Sequence, residues 1–134
     1  MMDIFDALDL SAYGMYAQRV RMNTIASNLA NYEAYKSDGT PFQRLVPLFQ
    51  AVENSKDSSE VYVVVKEIRE IPGFKLIYDP DNPNADERGY VRLPDIEPVK
   101  EMVDMITAVR SYEANLKAFT LTKEIFERTF EAWK

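Results

Sequence analysis

Asp79, Asp81, Asn84, Asp86 and Glu87 lie close together in the chain. Clustered carboxylates and amides are hard oxygen ligands of the kind that hold calcium. Their order does not fit the EF-hand loop. Counting Asp79 as the first position puts Pro83 at the fifth, Asn84 where glycine is required and Tyr90 where the bidentate Glu belongs. The interleaved Pro and Asn residues predict a rigid turn instead. Hydrolysis by two carboxylates needs a pair held about 5–10 Å apart in a pocket, and no spacing among the acidic residues demonstrates one. The chain has no His and no Cys, which removes the commonest general base and thiolate metal ligands. Its Ser and Thr residues therefore have no His partner, and only four glycines are scattered along it, with no phosphate loop. No enzyme activity, catalytic residue, metal ligand or cofactor is expected.

With 134 residues, the chain has the length of one domain. The apolar fraction of 46% and charged fraction of 28% permit ordinary folding. A formal net charge of -6 argues against a nucleic-acid or anionic-membrane partner. The longest apolar run, Val61 to Val65, is far short of the ~20 residues that cross a bilayer, so no membrane insertion is expected. No Lys or Arg precedes Arg19, so the basic region of a cleaved signal peptide is missing from the start.

With chemistry set aside, the two ends carry the pattern. From Asp3 to about Tyr32 there is no proline. Phe5, Leu8, Ala12, Met15, Arg19, Met22, Ala26 and Leu29 recur at 3-4 spacing and predict a coiled-coil-like helix about 45 Å long, with Asp3 and Asp6 at its positive end. A second helix is predicted from about Ile96 almost to Lys134, with Asp95 as N-cap and Pro98 in the first turn. Its seam reads Met102, Met105, Val109, Tyr112, Leu116, Phe119, Lys123, Phe126, Phe130 and Trp133. A second row, Val99, Val103, Ile106, Leu121 and Ile125, widens the apolar face beyond what one neighbouring helix can cover. Each side chain left in water forgoes roughly 1.5–3 kcal/mol of burial, so these faces should be covered by other chains.

Between the helices, Pro41, Pro47, Pro72, Pro80, Pro83 and Pro94 punctuate segments rich in β-branched and aromatic residues. Strands are predicted at 42–51, 60–68, 74–78 and 89–93, with turns at 37–39, 54–59 and 71–73. They make a small β-rich subdomain of three or four strands.

The run Leu10 to Met15, and above all Gln18 to Asn31 with its Ala26-Ser27-Asn28-Leu29-Ala30-Asn31, resembles the N-terminal signature of the flagellar rod and hook protein family. Glu101 to Ile106 and Arg110 to Asn115 resemble the matching C-terminal signature. The short length and the segment Leu76 to Val91 look most like the proximal-rod subfamily. After Asn31 this chain has Tyr32-Glu33-Ala34-Tyr35-Lys36 where the family usually carries a small Thr-containing turn.

The resemblance implies a structural subunit of the basal-body rod, the drive shaft that transmits torque for motility. It would be exported from the cytoplasm without a cleaved signal by the flagellar type III apparatus, to assemble in the periplasm. Its partners would be copies of itself, other rod proteins and the adaptor joining rod to membrane ring. The expected fold is α+β: an antiparallel coiled-coil-like pair of arms, 1–35 and 95–134, with the β-rich subdomain 36–94 inserted between them. The expected subunit interface comprises Phe5, Leu8, Met15, Met22, Ile25, Asn28, Leu29 and Asn31 on the first arm. On the second it comprises Met102, Met105, Val109, Tyr112, Leu116, Phe119, Phe126, Phe130 and Trp133. The rival reading is a soluble ligand- or ion-binding module whose helices are a dimerising stalk.

Overall fold

The computed structural model describes residues 3–56 and 59–133. Helix α1 (Ile4–Ala30) leads into strands β1 (Arg44–Glu53), β2 (Val61–Ile71), β3 (Phe74–Tyr78) and β4 (Tyr90–Pro94), and helix α2 (Pro98–Ala132) closes the chain. Two long helices thus flank an antiparallel β region, as the α+β expectation has it. Met1, Met2 and Lys134, and part of the predicted turn at 54–59, lie outside the described residues.

Helix α1 starts at a capping box. Asp3 accepts from the Asp6 N–H at 2.8 Å, and the Asp6 carboxylate accepts from the Asp3 N–H at 3.1 Å. Two otherwise orphaned donors are satisfied there, and both charges sit at the positive end of the helix dipole. The other end stops at Asn31, whose side chain donates back to the Ser27 carbonyl at 2.8 Å. Helix α2 begins two residues later than predicted, and Asp95 is not its cap. The Ile96 N–H bonds the Pro94 carbonyl at 2.9 Å in a tight turn and its side chain is wholly buried, so Glu97 becomes the N-cap, without a side-chain bond, and Pro98 opens the helix.

The four strands do not form one sheet. β1 pairs with β2 and β3 with β4, as two separate antiparallel ribbons. In the first, Phe49 pairs with Val65 but Leu48 with Glu67, so Lys66 is an extra, bulged residue. Pro47 sits beside this bulge, where a missing N–H is tolerated. The ribbon lies along α1, with the Tyr13 and Tyr62 rings 5.3 Å apart. Lys36 pairs with Glu70 on β2 at 3.2 Å, and the Tyr35 hydroxyl donates to the Arg92 carbonyl on β4 at 2.7 Å, so residues 31–43 clip the two ribbons together.

The acidic segment folds as the predicted turn. The Asp86 carboxylate accepts from the N–H groups of Arg88 at 2.8 Å and Tyr90 at 2.9 Å, while Gly89 takes a positive φ of 86°. The Tyr90 N–H above all holds the Asp86 carboxyl below its usual range. A depressed folded-state value means that the charged form stabilises above the ordinary carboxylate range, near pH 3.9, and that this contribution disappears as pH falls through the lowered value. Asp86→Asn is therefore expected to melt below the parent at neutral pH and to converge with it under pH 4. Parallel melting curves across that window would contradict this.

Along the helix pair, Phe5 meets Phe126, Gly14 meets Asn115 and Asn28 meets Glu101, an antiparallel register with a nearly constant sum of residue numbers. At the middle contact a Cβ on Gly14 would stand 2.6 Å from the Asn115 Oδ1, so glycine is what allows the backbones to approach. Gly14→Ala gains about 1 kcal/mol of helix propensity. It also pushes on Asn115, whose side chain is tied to the Ser111 carbonyl at 3.0 Å, at a cost of about 1–3 kcal/mol. The expected double-mutant cycle is destabilisation alone and stabilisation in an Asn115→Ala background, read by urea denaturation.

Candidate assembly surface and the buried junction behind it

The side of α2 turned to α1 repeats as Glu101, Met105, Ala108, Tyr112, Asn115, Phe119, Thr122 and Phe126, all buried or half-buried except Phe126, which packs on Phe5. The predicted seam shares only its larger members, Met105, Tyr112, Phe119 and Phe126. At the alternate positions it took the more apolar neighbours Met102, Val109 and Leu116, and then Lys123, which interrupts the stripe. The structure places small or polar residues there instead: Glu101, Ala108, Asn115 and Thr122. On α1 the correction is similar. Ala12, Arg19 and Ala26 of the predicted stripe are exposed, whereas Ser11, Ala17, Thr24, Ile25 and Asn28 are buried. Arg19 lies over the Tyr16 ring at 5.6 Å, and Lys123 is exposed.

The polar members of the seam meet in one junction. Asn28 is 1% exposed. Its Nδ2 donates to the Leu45 carbonyl at 2.9 Å and its Oδ1 accepts from the Leu45 N–H at 2.8 Å, so its amide pairs with β1 as a further strand would. The same Nδ2 lies 3.3 Å from the Glu101 Oε2. Glu101, also 1% exposed, takes the Arg44 Nε on its other oxygen at 2.8 Å. A buried carboxylate is costly unless its oxygens are paired, and here both are. Three elements, α1, β1 and α2, are thereby fixed at one point. Glu101 and Arg44 were absent from the predicted site. The signal lay in the juxtaposition of an Asn inside one amphipathic helix with an acid on the buried row of the other.

This register divides the predicted interface residues. Ile25 and Asn28 are spent inside the chain. Leu8, Met15, Met22, Leu29, Asn31, Met105, Val109, Tyr112 and Phe119 are half-buried by it. Phe5, Met102, Leu116, Phe126, Phe130 and Trp133 are exposed. Residues of the second apolar row join them. Val99 is 74% exposed, Val103 56% and Ile106 55%, which with Met102 gives four large apolar side chains facing outward over two turns. At the other end α2 outruns α1: Phe126 packs on Phe5 and on Phe130, with ring centroids 5.6 and 6.4 Å apart, and Trp133 beyond them is 86% exposed. Large contiguous apolar patches are uncommon on chains that stay alone in water, which makes this face the candidate surface for assembly.

Known proteins resemble this chain at both of its ends and along its whole length. Residues 8–33 match the family model described as flagella basal body rod protein, and residues 87–131 match the C-terminal model of the flagellar basal body rod FlgEFG proteins. The flagellar basal-body rod protein FlgC of Aquifex aeolicus is 86% identical over 134 residues, the whole of both chains. The chain belongs to the FlgC family of flagellar basal-body rod proteins. FlgC of Bacillus subtilis is 37% identical, over 99% of this chain and 100% of that protein, and FlgC of Yersinia enterocolitica 33%, over 96% of each. The two matched segments take in most of α1 and of α2, the second including β4 as well; they hold Asn28 and Glu101 of the junction, while Arg44 and Leu45 lie between them. The binding-module alternative finds no support among these relatives.

Proposed function

We propose that this FlgC-family chain takes its place in the basal-body rod through the outward face of α2 around Val99, Met102, Val103 and Ile106, and through the overhanging end with Phe130 and Trp133. The carrying observation is the register of the helix pair, which spends small and polar residues inside the chain and leaves these large apolar ones outside. Their burial is available only against another protein. Copies of this chain and other rod proteins supply it, Phe5 and Leu116 extend the surface, and the adaptor between rod and membrane ring covers the side that the rod proteins leave. A shaft built this way transmits torque because the Asn28–Glu101–Arg44 junction keeps each helix pair and its ribbon moving as one body.

Export by the flagellar type III apparatus as an unfolded chain fits the thinness of the core. Among the described residues the buried apolar side chains are Ala17, Ile25, Val91, Pro94, Ile96 and Ala108, so little is lost by threading unfolded and much is gained on assembly. The reading is tested by charging the outward face: Val103→Asp with Ile106→Asp should abolish rod assembly and motility while leaving a folded chain.

A further inference from the structure

The two long edges of the β1–β2 ribbon differ. Because Asn28 takes both the N–H and the carbonyl of Leu45, those groups point away from β2, and Leu45 with its partner Glu70 is a pair that does not exchange hydrogen bonds. The next pair of this kind, Pro47 with Ile68, agrees, since Pro47 has no N–H to give. The outer edge of β1 is thus closed by an amide and a proline. On β2 the same parity turns the main-chain groups of Ile68 and Glu70 outward, and among the described residues no hydrogen bond reaches them. Residues 66–71 are exposed, and the bulge at Lys66 leaves 67–71 as the regular stretch.

We infer that this open edge of β2 pairs antiparallel with β2 of a second copy of the chain, about a two-fold axis through Ile68. Charge complementarity selects that occupant and that register. Glu67 falls opposite Arg69 of the second copy, and the reverse, while Ile68 meets its own counterpart. Lys66 reaches toward Glu70, whose other carboxylate oxygen already holds Lys36. Within the chain Arg69 already bonds Glu67, so across the axis two acids and two guanidinium groups alternate in sign. Ile68 is half exposed and its outward main-chain groups are those that a two-fold antiparallel pair requires at its centre. The contact closes at two copies and uses no residue of the helical surface, so its loss would leave the rod-packing reading standing.

A single thiol tests it, since the chain contains no Cys. Across the axis Ile68 would face its counterpart at a Cα separation of about 5.5 Å, within the range a disulfide spans. In the full-length chain, Ile68→Cys should oxidise to a dimer about tenfold faster than Glu53→Cys at the far end of the same ribbon. Adding Arg69→Glu or Glu67→Arg to Ile68→Cys should each lower that rate about tenfold, and a 1:1 mixture of the two double variants should restore it. Equal rates at positions 68 and 53, or a mixture no faster than either variant alone, would overturn the pairing.

Discussion

Asn28→Asp is expected to lower the stability of the folded chain by about 3–5 kcal/mol, although it exchanges one NH2 for one oxygen. The substitution removes the donor to the Leu45 carbonyl and puts an oxygen where the amide nitrogen lies 3.3 Å from the Glu101 carboxylate. Two acids would then share a site from which water is excluded. The deficit should shrink at acid pH, when the introduced carboxyl takes up a proton and can donate again. Asn28→Ala keeps the charge balance and loses the three contacts, at an expected cost of about 2–3 kcal/mol that does not vary with pH. Urea denaturation at neutral and acid pH separates the two. Equal losses for both variants, unchanged by pH, would mean that the amide only fills space.

The second large effect lies outside the chain's own core. Val103→Asp with Ile106→Asp changes two residues that are more than half exposed, so the folding stability should move by no more than a surface substitution allows, about 0.5 kcal/mol for each. Association should fall at least about a hundredfold, because two apolar side chains forgo roughly 3 kcal/mol or more of burial and two carboxylates are placed where water is excluded. Sedimentation across a concentration series reads both the folded mass and the association. Undiminished self-association would remove α2's outward face from the assembly surface; a chain that no longer folds would place these residues in the core.

The contrast between these two sites explains what could be read in advance. The extent of both helices followed from a long proline-free stretch at each end, and the strand positions followed from β-branched runs between prolines, because local pattern decides both. The helix register did not follow. Apolar-first reading preferred Met102 to Glu101 and Leu116 to Asn115, since a seam is ordinarily made of large apolar side chains. Here close approach at Gly14 and pairing at Asn28 favour small and polar residues at every second position. A buried acid is acceptable to the fold only because Arg44, 57 residues away in the chain, reaches it, and no local pattern reports that pair. Asp95 as N-cap failed for a similar reason: the burial of Ile96 and the bond back to Pro94 set where α2 begins. The junction is therefore what the sequence pattern concealed, and the outward row is what it showed too generously, by counting buried and exposed positions as one face.

The chain's only tryptophan stands at the free end of α2, and its fluorescence tests most directly whether that surface is completed by other subunits. In the dilute, folded chain Trp133 should emit as an indole in water and be quenched freely by acrylamide. As concentration rises or rod partners are added, the emission should shift to the blue and the quenching should fall, in step with the gain in mass. Emission that stays water-like in the assembled state, or that is already blue and protected in the isolated monomer, would contradict the account.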